Sequence, residues 1–287
     1  MRDAAQRRVA VGFFDGVHLG HRAILAGADV ALTFRRHPLE VLAPEKAPVL
    51  LMTVEERVAA IRACGVGEVV VLDFTPELAR LTAEAFAKKL TDMGLNGQDA
   101  RSSMGVVVRC GDNWRFGAGG KGDAAFLRAQ GLAVEVVPYA VYRDEAISSS
   151  RIRRALADGQ VRDAAEMLGR PVVVRGTVES GKGLGRELGF PTLNVRPDRR
   201  HNLRRGVYAV RLGDAKGVAN YGLAPTMGDQ AWQEPVLEVH LFEPFAAAVS
   251  TATVELVGFL RDECRFGSAD ELKRQIAADC AAAKEMR

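Results

Sequence analysis

The sequence predicts an α/β doubly wound domain with a parallel sheet, followed by a small antiparallel β-barrel domain with a C-terminal helix. Three observations support this prediction. The first half alternates short Val-rich apolar runs with helical patterns, which indicates a parallel sheet covered on both faces. The second half has strand-like runs between Gly-rich turns and no long helix until its end, which is typical of a small barrel. The length of 287 residues suits two domains of ordinary size.

Five buried strands are predicted in the first half, each rich in Val and bounded by Gly, Pro or charged residues. They are residues 9–11, 30–34, 69–72, 106–108 and 134–137. Helix formers with apolar residues at helical spacing predict helices at 55–63 and 83–90. Since ligands of a doubly wound sheet lie beyond the carboxyl ends of its strands, we expect the loops after these strands to carry a site.

The character of the sequence changes near residue 170, which predicts two domains, residues 1–168 and residues 171–287. The predicted strands of the second domain are residues 172–178, 207–212, 236–242 and 252–257. The last helix is predicted to begin at Ser268, because Ser268 and Glu271 fit a capping box. Its apolar face, which includes Leu272 and Ile276, is expected to pack on the barrel.

The composition limits the class of protein and the kind of partner. Apolar residues make up 48% of the chain and charged residues 26%, as in an ordinary globular protein. A net charge of +3 suits anionic nucleotides but is far from that of a dedicated nucleic-acid binder. The four cysteines form no C-x-x-C pair, so neither a zinc site nor a disulfide framework is predicted. With no membrane-length apolar run and no signal-peptide pattern, we expect a cytoplasmic protein.

The run G-F-F-D-G-V-H-L-G-H at residues 12–21 follows the first predicted strand and opens a helix. His18 and His21 then lie at a helix N-terminus, where backbone N–H groups and the helix dipole favour phosphate. Gly20 allows the backbone to approach a phosphate closely. These groups suit attack on an α-phosphate with pyrophosphate leaving. A surface histidine pair or an incomplete metal site is the alternative, although no third soft metal ligand is obvious.

Two further segments indicate a nucleotide site. The run G-D-N-W-R-F-G at residues 111–117, which contains Asn113, follows a predicted strand. The run I-S-S-S-R-I-R at residues 147–153 leads into a helix. Its hydroxyls, including those of Ser149 and Ser150, could cap that helix or hold a triphosphate. Arg153, one turn into the helix, is the charge that a phosphate site would add.

A glycine-rich string in the second half resembles a Walker A loop but fails as one, because Gly183 stands where Ser or Thr is required. Gly181 and Gly185 would still permit close backbone approach to phosphates. Thr192 and Asn194, two apart on an extended segment, present oxygens on one face, as a magnesium ion would require. Both are also common turn residues, so that interpretation stays open.

The predicted strand at residues 236–242 alternates apolar and polar side chains. Glu238 and His240 share one face, and the apolar residues between them share the other. Glu238 could simply face solvent. In a barrel that holds a ligand, it could instead accept a proton from an attacking hydroxyl.

The first-half motifs, together with Thr33-Phe34 and His37-Pro38, resemble the adenylyltransferase module of prokaryotic bifunctional riboflavin kinase/FAD synthetases. The resemblance implies that this module adenylylates FMN with ATP and releases FAD and pyrophosphate. The residues it implies for ATP and phosphate are His18, His21, Asn113, Ser149, Ser150 and Arg153, with Gly12, Asp15 and Gly20 of the first motif.

The second half resembles the riboflavin kinase module of the same enzymes, through G-R-x-L-G-F-P-T-x-N at residues 185–194 and the L-E-V-H strand. The resemblance implies ATP as co-substrate, Mg2+ as cofactor and riboflavin as the phosphate acceptor. Glu238 would be the general base on the ribityl 5′-hydroxyl. Thr192 and Asn194 would contact Mg-ATP, and the phosphate-binding residues would be Gly181, Gly185 and Arg186.

The sequence departs from this family at Phe13, where the family usually has Asn, within residues 244–251, where an expected Tyr-Gly pair is replaced, and in the segment after the histidines. Only residues 22–32 separate His21 from Thr33, so the helix after the histidines is shorter than in the family by about three turns. A helix of this length is marginal without tertiary support, and we expect adenylylation to be the weaker activity. Two alternatives stay open: a riboflavin kinase with a degenerate adenylyltransferase domain, and a non-catalytic flavin-binding or regulatory protein.

Overall fold

The computed structural model describes residues 6–92, 105–179, 189–223, 235–243 and 249–286. Its contacts divide the chain into two compact units, Met1–Ser149 and Ser150–Arg287. This division lies two helices before the predicted boundary near residue 170. Which of the two limits defines an independently folding domain stays a prediction.

The first unit contains a five-stranded sheet in which every neighbouring pair is parallel, in the order β3-β2-β1-β4-β5. The strands are β1 (Gln6–Val11), β2 (Val30–Phe34), β3 (Glu68–Leu72), β4 (Gly105–Gly111) and β5 (Ala133–Val137), followed by the short hairpin β6 (Val141–Tyr142) and β7 (Glu145–Ala146). The helices are α1 (Leu19–Leu25), α2 (Pro38–Leu42), α3 (Val54–Ala63), α4 (Pro76–Ala79), α5 (Ala83–Asp92) and α6 (Ala124–Ala129), with 3-10 turns at Pro44–Lys46 and Ala118–Gly120.

Apolar side chains cover both faces of this sheet. Val9 and Val11 of β1 pack in a cluster with Phe86 of α5, whereas Ala10, which lies between them, packs in a second cluster with Leu25 of α1. The two-residue period of the strand therefore sends alternate residues into two separate cores. This arrangement confirms the predicted doubly wound α/β class.

The second unit is a closed six-stranded barrel in the order β10-β11-β12-β9-β8-β13, and its neighbouring strands are antiparallel. The strands are β8 (Val172–Glu179), β9 (Leu193–Pro197), β10 (Gly206–Leu212), β11 (Ala215–Gly222), β12 (Val236–Leu241) and β13 (Thr251–Arg261). Helices α7 (Ser149–Ala157) and α8 (Val161–Leu168) precede the barrel, and α9 (Ala269–Glu285) follows it. The predicted barrel with a C-terminal helix is confirmed.

The start of α9 differs in one detail from the predicted capping box. The Ser268 hydroxyl accepts a hydrogen bond from the backbone N–H of Glu271 at 3.2 Å, as expected. The Glu271 carboxylate, however, accepts from the N–H of Gly267 at 2.8 Å rather than from Ser268. Ile276 packs against the outer face of the barrel, in a cluster with Val218. The cap and the packing face of the helix were therefore predicted correctly, and the reciprocal bond is displaced by one residue.

Candidate active sites

The first candidate site begins directly after β1, where the G-F-F-D-G-V-H-L-G-H motif turns into α1. Gly12 donates its N–H to the carbonyl of Leu32 at 3.1 Å, which holds the start of the motif on β2. Asp15 is buried, and its carboxylate accepts from the backbone N–H of Leu51 at 2.9 Å. The Ser149 hydroxyl donates to the Asp15 carbonyl at 2.9 Å. Two distant segments are thereby fixed to the motif.

The two histidines of the motif lie against each other. His18 is the N-cap of α1, and its Nδ1 accepts from the backbone N–H of His21 at 3.3 Å. In its neutral form His18 therefore carries its proton on Nε2. The two imidazole rings are stacked, with centroids 3.6 Å apart and planes 17° apart. A Cβ at Gly20 would lie 3.2 Å from Cε1 of His18, so glycine leaves room for this ring.

The environment of His21 favours an uncharged imidazole. Burial, and then the nearby charges of His18 and Arg57, lower the pKa of His21 well below its ordinary value. Its Nδ1 is enclosed and has no hydrogen-bond partner among the residues that the structure describes. At neutral pH, His21 is therefore a neutral side chain that can donate or accept a hydrogen bond, and positive charge at this site must come from other residues.

The remaining predicted ATP residues lie on two segments. Asn113 is exposed in the loop after β4, which the stacking of Trp114 on Phe116 holds in place, with centroids 4.7 Å apart. Ser150 is exposed in the first turn of α7, and Arg153 lies one turn further along the same helix. The structure thus brings Ser149 to the histidine motif and presents Ser150 and Arg153 on the helix that Ser149 begins.

Sequence reasoning missed Arg57, which is fully buried in the first turns of α3. Its Nη2 donates to the carbonyl of Phe34 at the end of β2, and its guanidinium carbon lies 4.1 Å from the centre of the Phe13 ring. A signal was present in the sequence, because Arg57 lies four residues before the buried Ile61 and therefore on the inward face of its helix.

The second candidate site is a row of polar side chains across three strands of the barrel. Glu238 of β12 lies directly opposite Asn194 of β9 on one side and Asn220 of β11 on the other. Directly opposed residues of antiparallel strands project to the same face, so these three side chains are neighbours. Sequence reasoning found Glu238 and Asn194 but missed Asn220, because β11 was not predicted.

Glu238 has a raised proton affinity. Burial, and then the charge of Glu263, raise the pKa of the Glu238 carboxyl. Glu263 follows β13, and its Oε1 accepts from Nδ2 of Asn220 at 3.3 Å. A Cβ at Gly222 would lie 1.9 Å from this carboxylate oxygen, so glycine is required for Glu263 to lie here. The base predicted from the sequence thus has an acidic neighbour that the sequence did not reveal.

His240, two residues after Glu238, holds the segment that carries Thr192. Its Nδ1 lies 3.0 Å from the carbonyl of Pro191, and a contact of this kind requires a proton on Nδ1. The His240 ring also packs edge-on against Phe190, with centroids 5.3 Å apart. Thr192 is exposed and directly follows Phe190 and Pro191, the two residues that His240 contacts. The predicted phosphate residues Gly181, Gly185 and Arg186 lie outside the described residues.

The described residues offer neither a metal-binding cluster nor a membrane-spanning helix, and one cavity is lined by none of the predicted residues. The described residues include no cluster of three His, Cys, Asp or Glu side chains that could hold a metal ion. Within the same ranges, none of the helices has both the length and the apolar character needed to cross a membrane. A cavity of about 350 Å³ opens beyond the carboxyl end of β3, between Asp73, Leu78 and Lys89.

Comparison with known proteins gives two adjacent family matches. Residues 1–151 match the FAD synthetase family, and residues 168–287 match the riboflavin kinase family. The bifunctional riboflavin kinase/FMN adenylyltransferase of Escherichia coli K12 is 36% identical over 96% of this chain and 91% of its own length. The chain belongs to this bifunctional family. Both the recognised family and its two enzyme modules are therefore confirmed.

Other relatives of the family give the same result. The bifunctional riboflavin kinase/FMN adenylyltransferases of Haemophilus influenzae and Bacillus subtilis are each 33% identical over 96% of this chain, and cover 92% and 91% of those proteins. A solved structure, described as a macrolide-efflux protein from Streptococcus pneumoniae, has a TM-score of 0.84 and 28% identity. The match covers 99% of this chain and 95% of that one.

Proposed function

We propose that this chain catalyses two successive steps of flavin cofactor synthesis. Its second unit phosphorylates riboflavin to FMN with ATP, and its first unit joins FMN to the adenylyl group of a second ATP to give FAD and pyrophosphate. The observation that carries the proposal is the presence, in one family member, of both a stacked histidine pair and a half-buried carboxylate, Glu238, directly opposite Asn194. The substrates are riboflavin, FMN and ATP, and no nucleic acid or membrane partner is proposed. We expect the enzyme to act in the cytoplasm.

In adenylyl transfer, a phosphate oxygen of FMN attacks the α-phosphorus of ATP. A new oxygen–phosphorus bond forms, the bond from the α-phosphorus to the bridging oxygen breaks, and pyrophosphate leaves. His18, with its proton on Nε2, donates to a phosphoryl oxygen as charge develops there. The residues proposed to bind ATP are Asn113 in the loop after β4, Ser149, Ser150 and Arg153 on α7, and Gly12, Asp15 and Gly20 of the histidine motif.

In the kinase reaction, the ribityl 5′-oxygen of riboflavin attacks the γ-phosphorus of ATP and ADP leaves. Glu238 accepts the hydroxyl proton, and its raised pKa makes it a stronger base than an exposed carboxylate. Gly181, Gly185 and Arg186 are proposed to contact the phosphates of ATP.

Magnesium is proposed as the cofactor of both reactions. In the kinase unit, Thr192 and Asn194 would hold it, because their hydroxyl and amide oxygens are the hard donors that Mg2+ prefers and Asn194 lies opposite Glu238. Bound magnesium supplies positive charge that offsets the charge of the phosphates.

One incubation tests the whole proposal. The purified protein is given riboflavin, ATP and Mg2+, and the products are separated by chromatography. FAD is the expected final product. FMN without FAD would mean that adenylyl transfer has been lost, and riboflavin that is bound but unchanged would mean a flavin-binding protein without catalysis.

A further inference from the structure

Arg57 is a fully buried cation at the edge of the parallel sheet where ligands of such folds lie. Phe13 directly follows the motif's first glycine, and Phe34 ends β2. The guanidinium lies between these two points: its Nη2 donates to the carbonyls of Phe34 and, at 3.4 Å, Arg35, and the Phe13 ring covers it at 4.1 Å. Arg57 therefore lies at the carboxyl ends of β1 and β2.

The hydrogen-bonding groups of this guanidinium are only partly used. Nε and Nη1 of Arg57 are enclosed and have no hydrogen-bond partner among the described residues. Arg57 forms no ion pair with a carboxylate in the part of the chain that the structure describes. The charges of Asp15, Glu40 and Glu55 only partly offset the effect of burial, which lowers the pKa of Arg57. A buried cation with unpaired N–H groups is unfavourable unless something compensates it, and an anion is the partner that would.

A second enclosed nitrogen in this region also lacks a hydrogen-bond partner. Nδ1 of His21 is also enclosed and without a described partner, and the charge of Arg57 is one of the causes that lower the pKa of His21. The neutral imidazole and the unpaired guanidinium are thus close enough to influence each other. The geometry agrees, because Phe13 covers Arg57 while the ring of the next residue, Phe14, packs edge-on against His21 with centroids 5.4 Å apart.

Adenylyl transfer brings two phosphate groups together, and the residues identified from sequence account for only one of them. All of the phosphate residues that were predicted for adenylyl transfer were assigned to ATP. The acceptor, a phosphate monoester, also carries negative charge and needs its own cation. We propose that Arg57 binds the phosphate of the flavin mononucleotide, and that the Phe13 ring moves off the guanidinium to admit it. The inference rests on the proposed adenylyl transfer.

The surroundings of Phe13 suit such a movement. Its backbone is fixed, because the buried hydroxyl of Thr33 donates to the Phe13 carbonyl at 2.9 Å. Its ring is only partly buried and packs edge-on against His37, with centroids 4.9 Å apart. The ring can therefore turn without displacing the strand. Arginine suits the ligand, since guanidinium groups bind phosphate through charge-assisted hydrogen bonds.

The test is the Michaelis constant for each substrate of FAD formation in Arg57→Met, which keeps the side-chain volume and removes the charge. We expect the KM for FMN to rise roughly tenfold or more, because the loss of one charge-assisted hydrogen bond weakens binding by about that factor. The KM for ATP should stay unchanged. FMN formation from riboflavin should keep its wild-type rate. Arg62→Met, an exposed arginine on the same helix, is the matched control and should leave both constants unchanged.

A structural role for Arg57 would give a different result. An unchanged KM for FMN in a folded Arg57→Met protein, or equal loss toward FMN and ATP, would overturn the inference. If Arg57→Met does not fold, Arg57→Gln is measured instead, because it keeps an N–H donor for the Phe34 carbonyl. The same two KM values then decide the outcome. A wild-type protein that makes no FAD from FMN and ATP would overturn the proposed function, and this inference with it.

Discussion

Burial acts on the reactive groups of both units, but it serves a different purpose in each. In the first unit it lowers the pKa of His21, and in the second it raises the pKa of Glu238. Both shifts have the same cause, because a less polar environment disfavours whichever form is charged. The histidine thereby loses its charge and becomes a neutral hydrogen-bonding group, whereas the carboxylate becomes a stronger base. One physical effect thus suits the first group to the proposed phosphate binding and the second to the proposed proton acceptance.

The two sites also differ in what holds them in place. The histidine pair lies at the start of α1, a helix of only 7 residues. Glu238 lies in the middle of β12, whose register is fixed on both sides by β9 and β11. A short helix depends on a few tertiary contacts, whereas a barrel strand is held along its length. We therefore expect the first site to be more sensitive to changes outside its reactive residues.

The largest expected effect separates the two activities. Glu238→Gln removes the proposed base, so FMN formation should fall by roughly a hundredfold to ten-thousandfold, while FAD formation from supplied FMN persists. His21→Ala is the reciprocal control and should reduce FAD formation alone. Initial rates of both reactions measure this directly. Equal loss of both activities in either folded variant would contradict the assignment of two separate sites.

The next prediction concerns the support of α1. Arg109 of β4 donates from Nε to the carbonyl of Ile24 at 3.0 Å and from Nη2 to that of Ala23 at 3.2 Å. These bonds satisfy carbonyls that a longer helix would satisfy itself. Arg109→Met should therefore loosen the histidine pair and slow FAD formation by roughly ten- to a hundredfold, with FMN formation unchanged.

Arg109 also pairs with Glu135 at 2.5 Å, so the loss of that ion pair must be separated from the loss of the helix contacts. Glu135→Gln removes the ion pair and leaves the bonds to α1, and it should retain most of the FAD rate. A helical insertion of about ten residues rich in Ala, Glu and Lys, placed between Leu25 and Asp29, should raise the FAD rate most in the Arg109→Met background. If Arg109→Met makes FAD as fast as the wild type, α1 does not depend on this residue.

The independence of the kinase is tested by fragments. We predict that residues 171–287 fold and phosphorylate riboflavin alone, because the barrel and its closing helix contain a complete core. The fragment 150–287 also contains α8, whose Met167 and Leu168 are buried and which packs on β8 and β13. It should melt at a higher temperature in circular dichroism. An unfolded 171–287 fragment would refute the boundary near residue 170, and a folded but inactive one would refute the independence of the kinase.

The sequence predicted most of the fold because the first unit has strong periodic signals. Residues 30–34 were predicted as a strand and form β2, and all five strands of the sheet were identified. The barrel was harder. Strand β11 contains Gly217, Asn220 and Gly222, and β9 contains Asn194, Arg196 and Pro197, so neither shows a clear apolar alternation. These strands are defined by pairing with β12 rather than by their own propensity.

The candidate sites were predictable where the residues lie close together in the sequence. His18 and His21 form a local motif, and Glu238 stands out among apolar neighbours on its strand. Arg57 and Asn220 could not be assigned in this way. Arg57 contacts the Phe13 ring because α3 packs there, and Asn220 lies opposite Glu238 because of the register between β11 and β12. Such contacts depend on tertiary structure, which no local pattern encodes.

The smallest expected effect concerns a second partly buried histidine, His201, which precedes β10 in the kinase unit. Burial, and then the charge of Arg199, lower the pKa of His201 to about 3. Above the ordinary histidine pKa of about 6.5, neither the folded nor the unfolded chain protonates this group, so it does not affect stability. As the pH falls below that value, the unfolded chain gains the proton first and the folded unit loses stability, by up to about 2 kcal/mol at pH 5.

Calorimetry at pH 7 and pH 5 should therefore show a drop in the melting temperature of the kinase unit that is smaller in His201→Leu. The variant lacks the titrating group, so a drop of equal size in the wild type and the variant would mean that other groups cause the acid sensitivity of the barrel. His21→Ala, which removes the corresponding partly buried histidine of the first unit, should leave the kinase transition unchanged at both pH values.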